Sequence, residues 1–291
     1  QDRITKKVFY FDSETRWYEY GYEQEGKNIV PDNRLEKVAL PSSDLVQYSY
    51  DKLGRIKNKD ISIFGTGGGG GTSGGSLTPD KVIRETYNYL RAPANDRTTE
   101  YVANIQYQGN GYSSSAVYTY DAKGNVKSMT DGGKYTSYEY DGLSRLTREN
   151  NQTLGFTKVY DYDANGNILT IKKYSYTTAA TLGTPAETTE YTYDTGVRRD
   201  RLIGITRRNG GNQITDSETI GSYDNNGNPG NYMGNVLEWT RGRMLSSCGG
   251  ITYKYDANGI RTQKTVNGTT HKYYTDNGTL HYETRTKGSS T

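Results

Sequence analysis

One phrase recurs along the chain: Tyr-x-Tyr-Asp-x-x-Gly-Asn followed by an aliphatic residue. It is nearly complete at Tyr118–Val126 and again at Tyr160–Ile168. Variants stand at Tyr48–Ile56 and Tyr138–Leu146, with Arg in place of Asn. Later versions open at Tyr191-Thr-Tyr193-Asp194, Ser222-Tyr223-Asp224 and Tyr253-Lys-Tyr255-Asp256. A short repeat cannot bury its own apolar face, so it must stack on its neighbours, and the array becomes the unit of folding.

The grammar is that of a β-hairpin. Tyr-x-Tyr puts two rings on one face of a strand, because side chains alternate with period 2. Asp-x-x-Gly is a turn: Asp bonds the backbone two residues on, and Gly takes the left-handed conformation that closes a type I turn with a G1 bulge. An aliphatic residue, Val126, Leu146 or Ile168, then opens the returning strand. Helical periodicity with caps is absent, so the chain is expected to be all-β, built of antiparallel hairpin repeats.

Composition agrees with such a sheet. The chain has 29 Tyr and 35 Gly but only 4 Phe, and its mean hydropathy is strongly negative. Tyrosine is therefore the chief hydrophobe, each ring covering roughly 150–250 Å² while its hydroxyl stays wet. The net charge is +3 with mixed signs, and no basic block suggests a nucleic-acid partner. Arg198-Arg199 and Arg207-Arg208 are read as short pairs in polar strands. No apolar run approaches the ~18 residues of a membrane span. The chain opens on Gln1 without a signal-like segment, so it is taken as a piece of a longer precursor or an engineered piece. The one cysteine, Cys248, excludes an intrachain disulfide framework and a cysteine-based zinc site.

Residues 1–47 read as divergent β repeats and 48–291 as regular repeats, the two forming a single body. The interval from Tyr50 to Tyr118 holds decayed copies, with Tyr87-Asn-Tyr89 and Ile105-Gln-Tyr107 as remnants. Repeat steps lengthen from about 20 residues to near 30 after Tyr162, with inserted loops expected at 175–189, 207–218 and 225–234. The glycine-rich stretch 65–76 is expected to be a flexible loop, natural or grafted. No Lys-Ser/Thr follows it, which argues against a phosphate loop.

These repeats resemble the YD repeats of the RHS/YD-repeat family, which includes bacterial polymorphic toxins, Tc toxin BC components, bacillar wall-associated proteins and animal teneurins. The match runs from Tyr48 to about Tyr282. Residues 239–264 resemble the repeats that precede the RHS core in Gram-positive members. The resemblance implies a β-sheet that spirals into a hollow shell around a C-terminal toxin or other cargo. In the family an Asp-Pro-x-Gly motif ends the core and releases the cargo by autoproteolysis. This sequence reaches Thr291 without that motif, so no catalytic residue is carried over. The expectation is a structural shell segment of a secreted or surface-delivered bacterial protein, not an enzyme. Its partner would be the encapsulated toxin domain or other parts of the same polypeptide.

The residues expected to carry this role are structural. They are Tyr50, Asp51 and Gly54; Tyr120, Asp121 and Gly124; Tyr140 and Asp141; Tyr162, Asp163 and Gly166; Tyr193 and Asp194; Tyr223, Asp224 and Gly227; and Tyr255, Asp256 and Gly259. The alternative is a cell-surface module whose tyrosines stack on polysaccharide. Recurrence at every repeat favours packing, since a binding site needs one special place. One or two carboxylates per turn fall short of the six to eight oxygens that calcium takes, so the Asp residues are read as turn caps, with no metal or cofactor. His271 and His281 could pair with Asp276 as base and orienter, but no nucleophile motif accompanies them. Cys248 is placed in a turn, near Arg241 and Arg243. Asn151, Asn267 and Asn277 fit a glycosylation sequon of a kind that polar chains produce by chance. Trp17 and Trp239 are assigned to packing.

Overall fold

The computed structural model describes residues 6–11, 14–22, 34–40, 44–64, 79–91, 98–196, 198–276 and 279–288. Among them there are strands and turns but no α-helix. The first strands are β1 (Lys6–Phe11), β2 (Glu14–Tyr22), β3 (Leu35–Ala39), β4 (Leu45–Tyr50), β5 (Ile56–Ile63), β6 (Lys81–Arg91), β7 (Thr98–Gly109), β8 (Tyr112–Tyr120), β9 (Val126–Asp131) and β10 (Lys134–Tyr140). Next come β11 (Leu146–Asn151), β12 (Phe156–Tyr162), β13 (Ile168–Ser175), β14 (Glu187–Tyr193), β15 (Leu202–Asn209) and β16 (Ile214–Thr219). The last are β17 (Asn231–Tyr232), β18 (Asn235–Thr240), β19 (Met244–Cys248), β20 (Ile251–Tyr255), β21 (Arg261–Val266), β22 (Thr269–Asp276) and β23 (Thr279–Lys287).

Strand order is sequence order in both sheets, β1 to β16 in the first and β17 to β23 in the second. The chain divides into two compact units, residues 1–137 and 138–291. In each unit the strands pair antiparallel with their sequence neighbours, as in Tyr118↔Met129 of the first unit and Tyr160↔Ile171 of the second. Such a meander follows from the short turns, because two-strand connections of a few residues can only reverse the chain.

Four of the buried positions share one place in the repeat. In the strand that leads into a turn, a small residue stands two positions before the Tyr pair and is nearly inaccessible: Val46 at 2%, Ala116 at 3%, Thr136 at 1% and Thr189 at 8%. The two tyrosines that follow on the same face are half-buried, and the residues between them are exposed. A small residue lets the neighbouring strands close in, while the rings supply the area. This explains how a chain poor in aliphatics still packs.

Three local expectations are corrected. Arg198 and Arg199 lie in a turn, not a strand, because Asp194 and Gly196 have already ended β14. Residues 207–218 are not an inserted loop but most of the β15–β16 hairpin. Its turn is built on Asn209, whose side chain does what Asp does elsewhere: Oδ1 accepts from the N–H groups of Gly211 and Gln213. Cys248 is the last residue of β19, and the turn proper is Gly249-Gly250. The glycine-rich stretch 65–76 lies outside the described residues.

Candidate functional site

The Asp turns repeat in atomic detail. Asp51, Asp121, Asp141, Asp163, Asp224 and Asp256 each accept, at 2.8–3.1 Å on Oδ1, the N–H groups of the second and fourth residues that follow. Each Asp N–H donates to the carbonyl of that fourth residue, closing the turn at 2.9–3.0 Å. Where the fourth residue is Asn or Arg, its side chain returns to Oδ2. Asn125 and Asn167 do so at 2.9 and 2.8 Å, and Arg145 at 2.6 Å. The carboxylates are thus occupied by their own turns. Among the described residues no cluster of three or more His, Cys, Asp or Glu side chains could hold a metal.

The third residue after Asp adopts positive φ: Gly54 (83°), Gly124 (88°), Gly166 (92°), Gly227 (82°) and Gly259 (81°). Ser144 takes the same conformation at 63° despite its Cβ. Left-handed geometry costs a non-glycine residue on the order of 1 kcal/mol. Ser144→Gly is therefore expected to raise stability by about 0.5–1 kcal/mol, read as a higher urea midpoint.

Seven tyrosines near turns, six of them directly before Asp, reach out of their own hairpins. Tyr50 donates its hydroxyl to the Leu35 carbonyl at 2.7 Å, Tyr89 to Ile56 at 2.8 Å, Tyr120 to Val102 at 2.9 Å and Tyr162 to Leu146 at 2.7 Å. Tyr193 donates to Ile168 at 3.0 Å, Tyr223 to Leu202, and Tyr255 to Leu245 at 2.9 Å. Except for Val102, the fifth residue of β7, each acceptor is the first or second residue of the returning strand of the preceding hairpin. In five of the seven, the residue just before the acceptor also covers the tyrosine ring. The guanidinium carbon of Arg34 stands 5.0 Å from the centre of the Tyr50 ring, that of Arg55 3.9 Å from Tyr89, that of Arg145 4.7 Å from Tyr162 and that of Arg201 4.5 Å from Tyr223. Tyr101 does the same for Tyr120, ring to ring at 4.9 Å. In the second sheet an indole takes the role: Trp239 Nε1 donates to the Pro229 carbonyl at 2.8 Å.

This hairpin-to-hairpin clasp joins a hydrogen bond worth about 0.5–1.5 kcal/mol to a cation–π contact of about 0.5–1 kcal/mol. Tyr140 ends β10 half-buried, and Asp141 opens the next turn in the standard way. Asp194 alone among these turns is stretched, since its closing bond runs to Arg201 at 2.8 Å. His271 hydrogen-bonds Glu283 across β22 and β23 at 2.6 Å, and Arg285 donates to the same oxygen at 2.8 Å. Sequence reading placed the tyrosines but missed the clasp. The apolar residue after each turn was the available signal, for its carbonyl is the acceptor.

Burial raises the phenol pKa of Tyr89, Tyr107, Tyr120, Tyr162, Tyr193, Tyr223 and Tyr255 above the ordinary value. Burial, reinforced by the charge of Glu149, pushes Tyr160 up to about 12. A raised phenol pKa favours the neutral form in the fold, so its stabilisation is complete below about pH 10 and is lost as pH rises through the folded value. The Asp carboxyls shift the other way. In Asp121 and Asp163 the Asn side-chain hydrogen bond lowers the pKa, and in Asp141 and Asp224 the backbone N–H of the fourth residue does. That stabilisation is present above the ordinary carboxyl value and is lost as pH falls through the lowered one. In an alkaline titration the last part of the rise in tyrosinate absorbance is expected to coincide with loss of β circular dichroism. Complete tyrosine ionisation with the sheet intact would contradict the clasp.

Residues 120–153 match the family model described as RHS Repeat. No curated protein matches the chain in sequence. Among solved structures, that of TcdB2-TccC3-Cdc42 is 13% identical, with a TM-score of 0.40 over 97% of this chain and 19% of that one. The structure of TcdB2-TccC3-TEV is 14% identical, with a TM-score of 0.44 over 91% and 14%. A Photorhabdus luminescens Tc holotoxin pore carrying a TccC3 mutation is 12% identical, with a TM-score of 0.36 over 96% and 19%. This chain therefore spans 14–19% of the solved chains it matches. Residues 120–153 are thus an RHS repeat, and the same Asp turn and tyrosine clasp recur in the chain from Tyr50 to Tyr255.

Proposed function

We propose that this chain is a length of wall in an RHS-repeat shell that encloses another part of the same polypeptide, a toxin domain or other cargo. In this reading residues 1–47 and 48–291 are one array, working at the surface of a bacterium or outside it. One observation carries the proposal: the tyrosines and aspartates that dominate the sequence are spent on joining hairpin to hairpin and closing turns. A wall needs that equivalence, and catalysis does not.

The test is limited proteolysis of the full polypeptide that carries this chain. Cargo is expected to resist protease while the wall is intact and to become sensitive when Tyr162 and Tyr193 are both changed to alanine. Cargo cleaved equally fast in both would overturn the reading. The exposed rings of Tyr112 and Tyr101, 66% and 44% accessible, favour a second reading as a polysaccharide-binding module. Saturable binding on a glycan array, lost in Tyr112→Ala, would support it.

A further inference from the structure

The array breaks its own rule at one turn, and arginines collect there. In the other Asp turns the closing carbonyl belongs to the fourth residue after Asp, but in the Asp194 turn it belongs to Arg201. The added arc carries Arg198, Arg199 and Asp200, all exposed. Arg201 is held in place by its ring contact with Tyr223 and by its N–H bond to the Arg198 carbonyl at 3.0 Å. Arg243, the last residue of the turn between β18 and β19, faces the same open cavity of about 1210 Å³. Tyr223 and Tyr232 line it as well.

The charge of this cavity is unbalanced. Its lining holds Arg198, Arg199, Arg201 and Arg243 against a single carboxylate, Asp200, which accepts a hydrogen bond from Asn167 at 3.1 Å. Elsewhere arginines meet carboxylates: Arg55 with Asp51, Arg84 with Asp60, Arg145 with Asp141, Arg208 with Glu190. Among the described residues, none of the four cavity arginines forms an ion pair. A wall has no need for such a concentration, and like charges in one concavity repel unless an anion joins them.

We propose that this cavity binds a small polyanion, a molecule presenting two or more phosphate or carboxylate groups. Guanidinium forks take planar oxyanions bidentately, and their weak hydration favours such pairing. The volume exceeds the roughly 300–1,000 Å³ of a typical small-ligand site, so it suits a ligand with several charged groups. The ring of Tyr232, 37% exposed, offers an apolar surface for the carbon skeleton between them. This assignment stands apart from the containment reading, because it rests on the one turn that is unlike the rest.

Isothermal titration of the whole chain with inorganic tripolyphosphate and, separately, with citrate tests it. Saturable binding at low salt is expected for at least one probe, weakening as salt is raised. Preference for tripolyphosphate assigns a phosphate ligand, preference for citrate a carboxylate ligand. The double variant Arg199→Ala, Arg243→Ala is expected to lose about tenfold or more in affinity, with an unchanged circular dichroism spectrum, since both side chains are exposed. Arg84→Ala, on β6, is the control and is expected to bind like the parent. Failure of both probes to bind the folded chain, or equal binding by the double variant, would overturn the proposal.

Discussion

Replacing Tyr162 with alanine is expected to cost roughly 2–4 kcal/mol, below the full 3–5 kcal/mol of a core aromatic because the ring is half-buried. The change removes three things together: ring area, the 2.7 Å bond to the Leu146 carbonyl, and the surface on which Arg145 lies. Tyr162→Phe isolates the hydroxyl and is expected to cost about 1 kcal/mol. Amide exchange is the fitting measurement, because a repeat array opens locally instead of all at once. Protection should fall in β11 and β12 in Tyr162→Ala and persist in β21 and β22. Uniform loss across all strands would mean that the clasp is not a neighbour-to-neighbour device.

Arg148→Leu is expected to cost about 2–4 kcal/mol and to free the segment between β13 and β14 for proteolysis. Arg148 is 8% accessible and sits with Asn150 and Thr157, which are 4% and 0% accessible. Its Nε donates to Asn150 Oδ1 at 2.8 Å, and its Nη2 donates to the carbonyls of Ala179 at 2.8 Å and Thr177 at 3.3 Å. Thr157 fastens the same segment twice, donating to the Thr177 carbonyl at 2.8 Å and accepting its N–H at 3.0 Å. Leucine keeps much of the volume but leaves the Ala179 carbonyl without its Arg148 donor, while the Thr177 carbonyl keeps only Thr157. Arg148→Lys keeps the charge without the fork, so it should recover part of the loss. Equal protease resistance in the parent and Arg148→Leu would show that Thr157 alone holds the segment.

The hairpins were legible because their signals are local. Tyr-x-Tyr has the strand period, and Asp with Gly three residues on specifies a turn whose bonds lie within five residues. Asn209 escaped notice because Asn212, at a φ of 62°, stands where glycine does in the other turns. The clasp was not legible, since its donor and acceptor lie 10–33 residues apart on different hairpins. Trp239 in a tyrosine's role needs the fold to be seen. Arg198 and Arg199 read as a strand pair because nothing local announces that a turn has been lengthened. Only the closing bond from Asp194 to Arg201 reveals it.

That closing bond has a practical consequence. At 2.8 Å across the long arc and 2.9 Å in the short turn at Asp51, the frame is as tight with one arc length as with the other. The strands on either side, β14 and β15, stay in register from Glu187↔Asn209 to Tyr191↔Ile205. The site after Asp194 is thus a port at which a foreign peptide could be spliced in and displayed from a fixed base, without renegotiating the sheet beneath it.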